Sequence, residues 1–201
     1  MTFPIQPFDD YPEADYAELM DFILRVESVQ AVWLGNWLAE NLKPRKVIDM
    51  GCGPGIYLVP FFGAANAERL HGVDACAVGG QCLPRDDYER WDLRFPYHPS
   101  IHFDLALCLE TAEHLPPESS DTLLDSLARC ADTILFSAAT PGQGGLHHSN
   151  EQPTEYWLTK FLKRGYEYHP IHFPMREFLA TLPDHCSRWL KENSFLLAGV
   201  K

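Results

Sequence analysis

Residues 46 to 56 read KVIDMGCGPGI: a short apolar run ends on an acid, and glycine then takes every second position, at Gly51, Gly53 and Gly55. Few arrangements need so bare a backbone. KVIDM reads as a buried strand, and the glycines at its exit remove the Cβ atoms that would keep a ligand away from the main chain. A helix is expected to follow, starting at Gly55 and running to Ala65, its first N–H groups free and its N-terminus partly positive. The spacing is not that of a dinucleotide loop. G-x-G-x-x-G would place its third glycine on Ile56 or Leu58 in the two frames, and no lysine follows at P-loop spacing. Asp49, directly before the glycines, would repel a pyrophosphate and suits a cationic group.

Strands and helices alternate along the rest of the chain. After KVIDM, strands are expected at LHGVDA (70–75), YERWDL (88–93), IHFDLALCL (101–109), DTILFSA (132–138) and SFLLAGV (194–200). The apolar run at 101–109 suits a strand buried on both faces. Apolar residues three and four apart predict helix from Glu13 to Leu42, with a break allowed between Glu27 and Gln30, and Pro44 stops it. Pro116-Pro117 opens another helix with a Leu123, Leu124, Leu127, Ala128 stripe. A further helix carries Trp157, Leu158, Phe161 and Leu162, with Thr154 as its cap and Gly165 at its end. The pattern is α/β: a doubly wound, Rossmann-like, mostly parallel sheet with helices on both faces. Residues 1–12 read as an irregular arm, and 13–201 as one domain that begins with a helical cover over 13–43. In such a sheet ligands sit beyond the carboxyl ends of the strands, so the residues after Met50, Val73, Trp91 and Cys108 are expected to share one crevice.

Charge narrows the partners. Lys and Arg total 16 against 28 Asp and Glu, a formal net charge of −12, which disfavours sequence-independent nucleic-acid binding and anionic membranes. No run of about 18 apolar residues is present, and the N-terminus has no secretory pattern. The six cysteines, at 52, 76, 82, 108, 130 and 186, form no C-x-x-C pair and read as reduced thiols of a cytoplasmic protein.

D-x-G-x-G-x-G at Asp49–Gly55, with Asp74 ending the second strand and Asp92-Leu93 after the third, resembles the class I S-adenosylmethionine-dependent methyltransferases over about Gly35 to Gly165. The resemblance implies a seven-stranded sheet and assigns the cofactor site to Asp49, Gly51, Cys52, Gly53, Gly55, Asp74, Ala75, Asp92, Leu93 and Leu109. Asp74 would accept from the ribose hydroxyls, Asp92 from the adenine amino group, and Leu93 would pack on the ring.

CLETAEHLP (108–116) follows the fourth strand. If Glu110 to His114 is one helical turn, Glu110 shares a face with Glu113 and His114. Two carboxylates and an imidazole suit Mg²⁺, Mn²⁺, Fe²⁺ or Zn²⁺. E-x-x-E-H resembles the metal motif of the ubiquinone-pathway O-methyltransferases and of the small-RNA terminal 2′-O-methyltransferases. In the latter a His from the loop after the fifth strand completes the site. Carried over, the ligands are Glu110, Glu113, His114 and His148, with His147 as the alternative to His148. A metal-free site with His114 or His148 as general base, assisted by Glu110, fits the same residues.

The loop from Pro141 to Pro153 is long, polar and glycine-bearing, the character of a functional lid. His147, His148, Asn150, Glu151 and Gln152 offer it hydrogen-bonding groups for a polar substrate. Trp157 is assigned to the core. The N-terminal helix, through Tyr16, Glu27 and Gln30, is expected to cover the crevice. The expected activity is O-methylation of a small-molecule acceptor such as a sugar, phenol or natural-product intermediate, by a monomer or homodimer. N-methylation of a small amine and non-catalytic binding are the alternatives.

Overall fold

A computed structural model describes residues 13–63, 67–76 and 78–200, with side chains from Tyr16 onward. The arm expected over 1–12, and the far end of the helix expected to reach Ala65, lie outside the described residues. Seven strands form one sheet: β1 (Lys46–Met50), β2 (Arg69–Asp74), β3 (Tyr88–Arg90), β4 (Leu105–Cys108), β5 (Thr133–Phe136), β6 (Tyr166–Tyr168) and β7 (Phe195–Gly199). Their order is β3-β2-β1-β4-β5-β7-β6. The first five are parallel, and β7 runs antiparallel between β5 and β6. The order reverses between β1 and β4, where doubly wound sheets open their ligand crevice. Asp49 pairs with Gly72 on one side and Leu107 on the other, so the carboxyl ends of all three strands meet there.

Alternate residues of the central strands feed two cores. Ile48, Ala106, Ile134 and Phe136 pack with Leu123, Leu124, Leu127, Trp157 and Phe161 of α3 (Ser120–Cys130) and α4 (Thr154–Leu162). Val47, Leu105, Leu107 and Leu135 pack with the other layer: α1 (Glu13–Leu42), α2 (Val59–Phe62), α5 (His172–Thr181) and α6 (Arg188–Asn193). The period of two places Asp49 on the same face as Val47, beneath α1. Trp157 is a core residue, 1% exposed.

Several elements differ from expectation. Helix α1 is continuous through Glu27–Gln30, a stretch with no Gly or Pro. The apparent break comes from apolar residues on its outer face, where Phe22, Val26, Val29 and Val32 are exposed. The helix after the glycines begins only at Val59 and is four residues long. Gly55 has φ +89°, and tight turns close before it (Gly55 N to Cys52 O) and after it (Leu58 N to Gly55 O), delaying helix formation. The N–H groups near the ligand crevice are therefore those of the turn itself. Strands β3, β4 and β5 are shorter than the apolar runs that mark them. Thr154 is the first helical residue of α4, its N-cap is Pro153, and no side chain caps it. After Pro116 a 3₁₀ turn over Pro117–Ser119 precedes α3. β6, α5 and α6 had no clear mark in the sequence.

Candidate functional site

Gly51 has φ +85°, and a Cβ built on it would stand 2.1 Å from Thr111 Oγ1. Only glycine lets the exit of β1 lie against the segment after β4. The N–H groups of Gly51 and Cys52 both donate to Val73 O, at 2.7 and 3.1 Å. Gly53 N donates to Asp74 Oδ2 at 2.9 Å, and Cys76 N to Asp74 Oδ1 at 2.8 Å. Asp74 thus ties the turns after β1 and β2 together. Asp49 is 2% exposed, and burial, with Asp74 close by, pushes its carboxyl up to about 7. Burial also raises Asp74, against the pull of the Cys76, Gly53 and Ala75 N–H groups. Cys52 is buried in the same turn, and burial raises its thiol well above the ordinary value.

These groups open on a cavity of about 340 Å³ at the carboxyl ends of the strands. Of the residues the resemblance named, Asp49, Gly51, Cys52, Gly53, Asp74, Ala75, Leu93 and Leu109 line it. Gly55 does not. Its absent Cβ would collide with Leu83, so it shapes the turn from behind. Asp92 does not line it either: its carboxylate is held by Arg94, whose Nη2 lies 2.8 Å from Asp92 Oδ2.

Glu110 leaves β4 with φ +46°, a left-handed backbone that is costly for a side-chain-bearing residue and accumulates at functional sites. The single helical turn expected over 110–114 does not form. Only Ala112–His114 turns, as 3₁₀ helix. Glu110 is directed instead toward the loop after β5, where Gln143 Nε2 donates to its Oε2 at 2.7 Å, while its buried Oε1 has no hydrogen-bond partner. Glu113 is fully buried, and neither of its carboxylate oxygens is hydrogen-bonded. Burial, then Glu110, raises its pKa well above the carboxylate range. His114 is lowered to about 4 by burial and by the neighbouring His148 and His147.

The loop reaches this turn because Ser149 N and Asn150 N both donate to Glu113 O, at 2.9 and 3.0 Å. His148 Nε2 then stands 4.0 Å from Glu113 Oε1, and its ring lies 4.9 Å from that of His114 at 86°. His148 Nδ1 is 2.9 Å from Glu151 Oε1. The bond lowers the Glu151 pKa, and a carboxylate can only accept, so Nδ1 carries the proton and Nε2 offers its lone pair. Glu151 also accepts from Gly142 N and Gly144 N, at 2.8 and 2.7 Å. Asn150 is buried against Ala112 O and Ser120, and Gln152 donates to Asn150 Oδ1. Asn150, Glu151 and Gln152, expected to face a substrate, hold the loop instead. His147 and His148 line the cavity.

Helix α1 closes the near side with Tyr16, Met20, Ile23 and Glu27. Gln30 lies behind them, donating to Tyr57 Oη at 2.9 Å and accepting from Ser187 N at 2.7 Å. Tyr57, Thr111, Gln143 and Trp189 also line the cavity and were not singled out in the sequence. Gln143 falls within the flagged loop. Tyr57 and Trp189 carry no local signal, since each reaches the cavity only through packing against α1.

Glu113, His114 and His148 each offer one ligand atom, and these three atoms lie within 4.8 Å of one another. A fully buried carboxylate beside the imidazoles of His114 and His148, the first lowered to about 4, fits a divalent ion of the Mn²⁺, Fe²⁺ or Zn²⁺ kind. Glu110 is outside that set of three. A second use of the same groups is proton transfer at His148 Nε2, with Glu151 behind it to stabilise the imidazolium. At the other end, the Gly51–Gly53 cradle with its two acids fits a ligand bearing positive charge. No helix of the described residues is long and apolar enough to cross a membrane, and all six cysteines are free thiols.

A family model described as a methyltransferase domain matches residues 14–181. No curated protein sequence matches the chain significantly. The sugar N-methyltransferase KedS8 from Streptoalloteichus sp. ATCC 53650 superposes with a TM-score of 0.60 at 15% identity, over 85% of this chain and 87% of that one. The magnesium protoporphyrin IX methyltransferase ChlM from Synechocystis PCC 6803, with bound S-adenosylhomocysteine, gives 0.57 at 18%, over 87% and 83%. The methyltransferase domain of bacterial CtHen1-CN gives 0.53 at 18%, over 89% and 98%. At these identities the likeness is one of fold.

Proposed function

The chain belongs to the class I S-adenosylmethionine-dependent methyltransferases, and from that premise we propose that it methylates a hydroxyl oxygen of a small polar molecule. The observation that carries this reading is His148 Nε2, oriented by Glu151 and facing Glu113 at 4.0 Å, in the same cavity as the glycine turn. S-adenosylmethionine would be held by the Gly51–Gly53 turn with Asp49, Asp74, Ala75, Leu93 and Leu109, and would supply a methyl carbon on cationic sulfur.

A hydroxyl is a poor nucleophile until its proton leaves, and methyl transfer to it needs alignment more than a covalent intermediate. His148 takes that proton at Nε2, and Glu151 steadies the charge on the ring through Nδ1. Glu110 Oε1 accepts a hydrogen bond from the acceptor and fixes its pose. His114, lowered to about 4, stays neutral at pH 7 and serves as a lone-pair donor rather than as the base. A divalent cation held by Glu113, His114 and His148 would occupy that same His148 Nε2 lone pair, and would then itself lower the pKa of the hydroxyl in place of the imidazole base. Helix α1 and the loop around Gln143–His148 exclude water from the transfer. The net charge of −12 favours a free small molecule over a nucleic acid as acceptor.

The test is methyl transfer to a panel of sugars, phenols and amines, with the product's methyl position fixed by mass spectrometry and NMR, beside calorimetric binding of S-adenosylhomocysteine. Transfer to oxygen is expected. Transfer to nitrogen alone would replace this reading with N-methylation, and failure to bind S-adenosylhomocysteine at millimolar concentration would end both.

A further inference from the structure

Five carboxylates line the cavity, Glu27, Asp49, Asp74, Glu110 and Glu113, and no Lys or Arg does among the described residues. Residues 1–24 of the sequence contain neither. A phosphate or carboxylate on the acceptor would be buried among acidic groups with no Lys or Arg to pair it, a costly way to desolvate an anion. Asp49 and Asp74 belong to the glycine turn, and Glu110 and Glu113 to the histidine cluster. Glu27 belongs to neither.

Its position is specific. Met20, Ile23 and Glu27 share one face of α1. Met20 and Ile23 sit over Gly53, within 4 Å of where its Cβ would be. Glu27 is one helical turn past Ile23, about 6 Å further along the cavity wall. Two neutral donors orient it: Tyr57 Oη to Oε2 at 3.0 Å and Trp189 Nε1 to Oε1 at 3.3 Å. They aim the carboxylate without neutralising it. The two rings stand 6.3 Å apart at 63°, an aromatic corner beside a carboxylate, which is the chemistry that receives ammonium groups.

We propose, resting on the methyl-transfer reading above, that the acceptor carries a protonated amine separate from the atom that is methylated, and that Glu27 seats this ammonium beside Tyr57 and Trp189. The acceptor class is then an amino sugar, amino alcohol or aminophenol rather than a phosphorylated or carboxylated compound. A separate observation also points to a ligand that donates hydrogen bonds: Glu110 Oε1 is buried at the cavity with no hydrogen-bond partner. Burial raises the Glu27 pKa, a desolvation cost that a bound ammonium would offset.

The experiment is calorimetry on the full chain with S-adenosylhomocysteine present, using D-glucosamine against N-acetyl-D-glucosamine, tyramine against N-acetyltyramine, and D-glucuronate as the anionic control. In at least one pair the amine should bind tenfold or more tighter than its acetylated partner, and glucuronate weakest of all. Glu27→Gln keeps an oxygen for Trp189 Nε1 and can donate from its amide nitrogen to Tyr57 Oη but loses the charge, and should bring that pair within threefold while S-adenosylhomocysteine affinity shifts by less than threefold. A Glu27 that merely latches α1 would leave the amine preference standing in Glu27→Gln, which overturns the proposal. So do equal binding within both wild-type pairs, no binding of either amine, or a preference for glucuronate. If Glu27→Gln does not fold, the wild-type ranking decides alone. Loss of S-adenosylhomocysteine binding would sink the methyl-transfer reading, whereas retained binding without an amine preference sinks only this inference.

Discussion

His148 Nε2 and Glu113 Oε1 stand 4.0 Å apart, one brought by the loop after β5 and the other by the 3₁₀ turn after β4. The two meet because Ser149 and Asn150 hydrogen-bond the backbone of Glu113, so side-chain substitutions leave that anchor intact. His148→Ala is expected to lower kcat by about 10²–10⁴, the usual worth of a positioned base, with S-adenosylhomocysteine affinity within threefold of wild type. Turnover within threefold of wild type would remove His148 from the mechanism.

Glu113→Gln separates stability from function. The wild-type carboxyl is fully buried and has no donor, so a neutral amide should relieve desolvation while removing the acid. The variant is expected to melt higher, by about 2–4 °C for each kcal/mol recovered in a chain of this size, and to lose turnover. A lower Tm would show that the carboxylate is compensated in solution.

Chelation tests the Glu113, His114 and His148 set directly. If the cation takes the place of the base, dialysis against EDTA should abolish turnover, with Mn²⁺, Fe²⁺ or Zn²⁺ restoring it, and His114→Ala should weaken the metal that restores activity. Full activity after chelation would leave His148 as a metal-free base.

Gly51→Ala should fail in two ways. The backbone sits at φ +85° and the new methyl would press on Thr111. Strain of about 1–3 kcal/mol is expected from the backbone alone, read as a lower Tm, together with loss of cofactor affinity as the turn moves. Gly142→Ala, where φ is +87° but nothing lies within 4 Å, isolates the backbone cost from the contact.

Asp49 predicts a pH dependence. Its carboxyl titrates near 7 in the folded chain against an ordinary 3.8. Between those values the folded state keeps a proton that the unfolded state has lost, so the residue makes folding less favourable as pH rises from about 4, and the full cost is present above about 7. Asp49→Asn should therefore be more stable than wild type at pH 8, with a ceiling of about 4.5 kcal/mol at 1.4 kcal/mol per tenfold change in proton affinity, and nearly equal to it at pH 4. Unfolding curves at the two pH values check this, and S-adenosylmethionine binding by wild type should strengthen as pH rises through 7.

The sheet was legible because buried parallel strands write themselves as apolar runs, and Asp49, the glycines and Asp74 announce strand exits. Asp92 and Gly55 fitted the same pattern yet do not reach the cavity: Arg94 claims the first, and Leu83 stands behind the second. A motif records residue types at strand ends, but a partner two residues away decides whether a carboxylate is available. The E-x-x-E-H run lies at the cavity, but in a conformation other than the expected helical turn. Helical spacing predicted one shared face, whereas the left-handed backbone at Glu110 turns that side chain toward Gln143.

From the amino-acid order alone came the alternation of strands and helices, the bare turn beside Asp49, and acids at the ends of successive strands, since these depend on side-chain period and on glycine's missing Cβ. Folding alone decided which histidine faces Glu113, that Glu151 orients it, and that Tyr57 and Trp189 bring Glu27 to the cavity wall. Apart from His148 and Glu151, three residues apart in one loop, those contacts join segments far apart in the chain, and burial sets the charge state of buried groups only once the segments have closed around them.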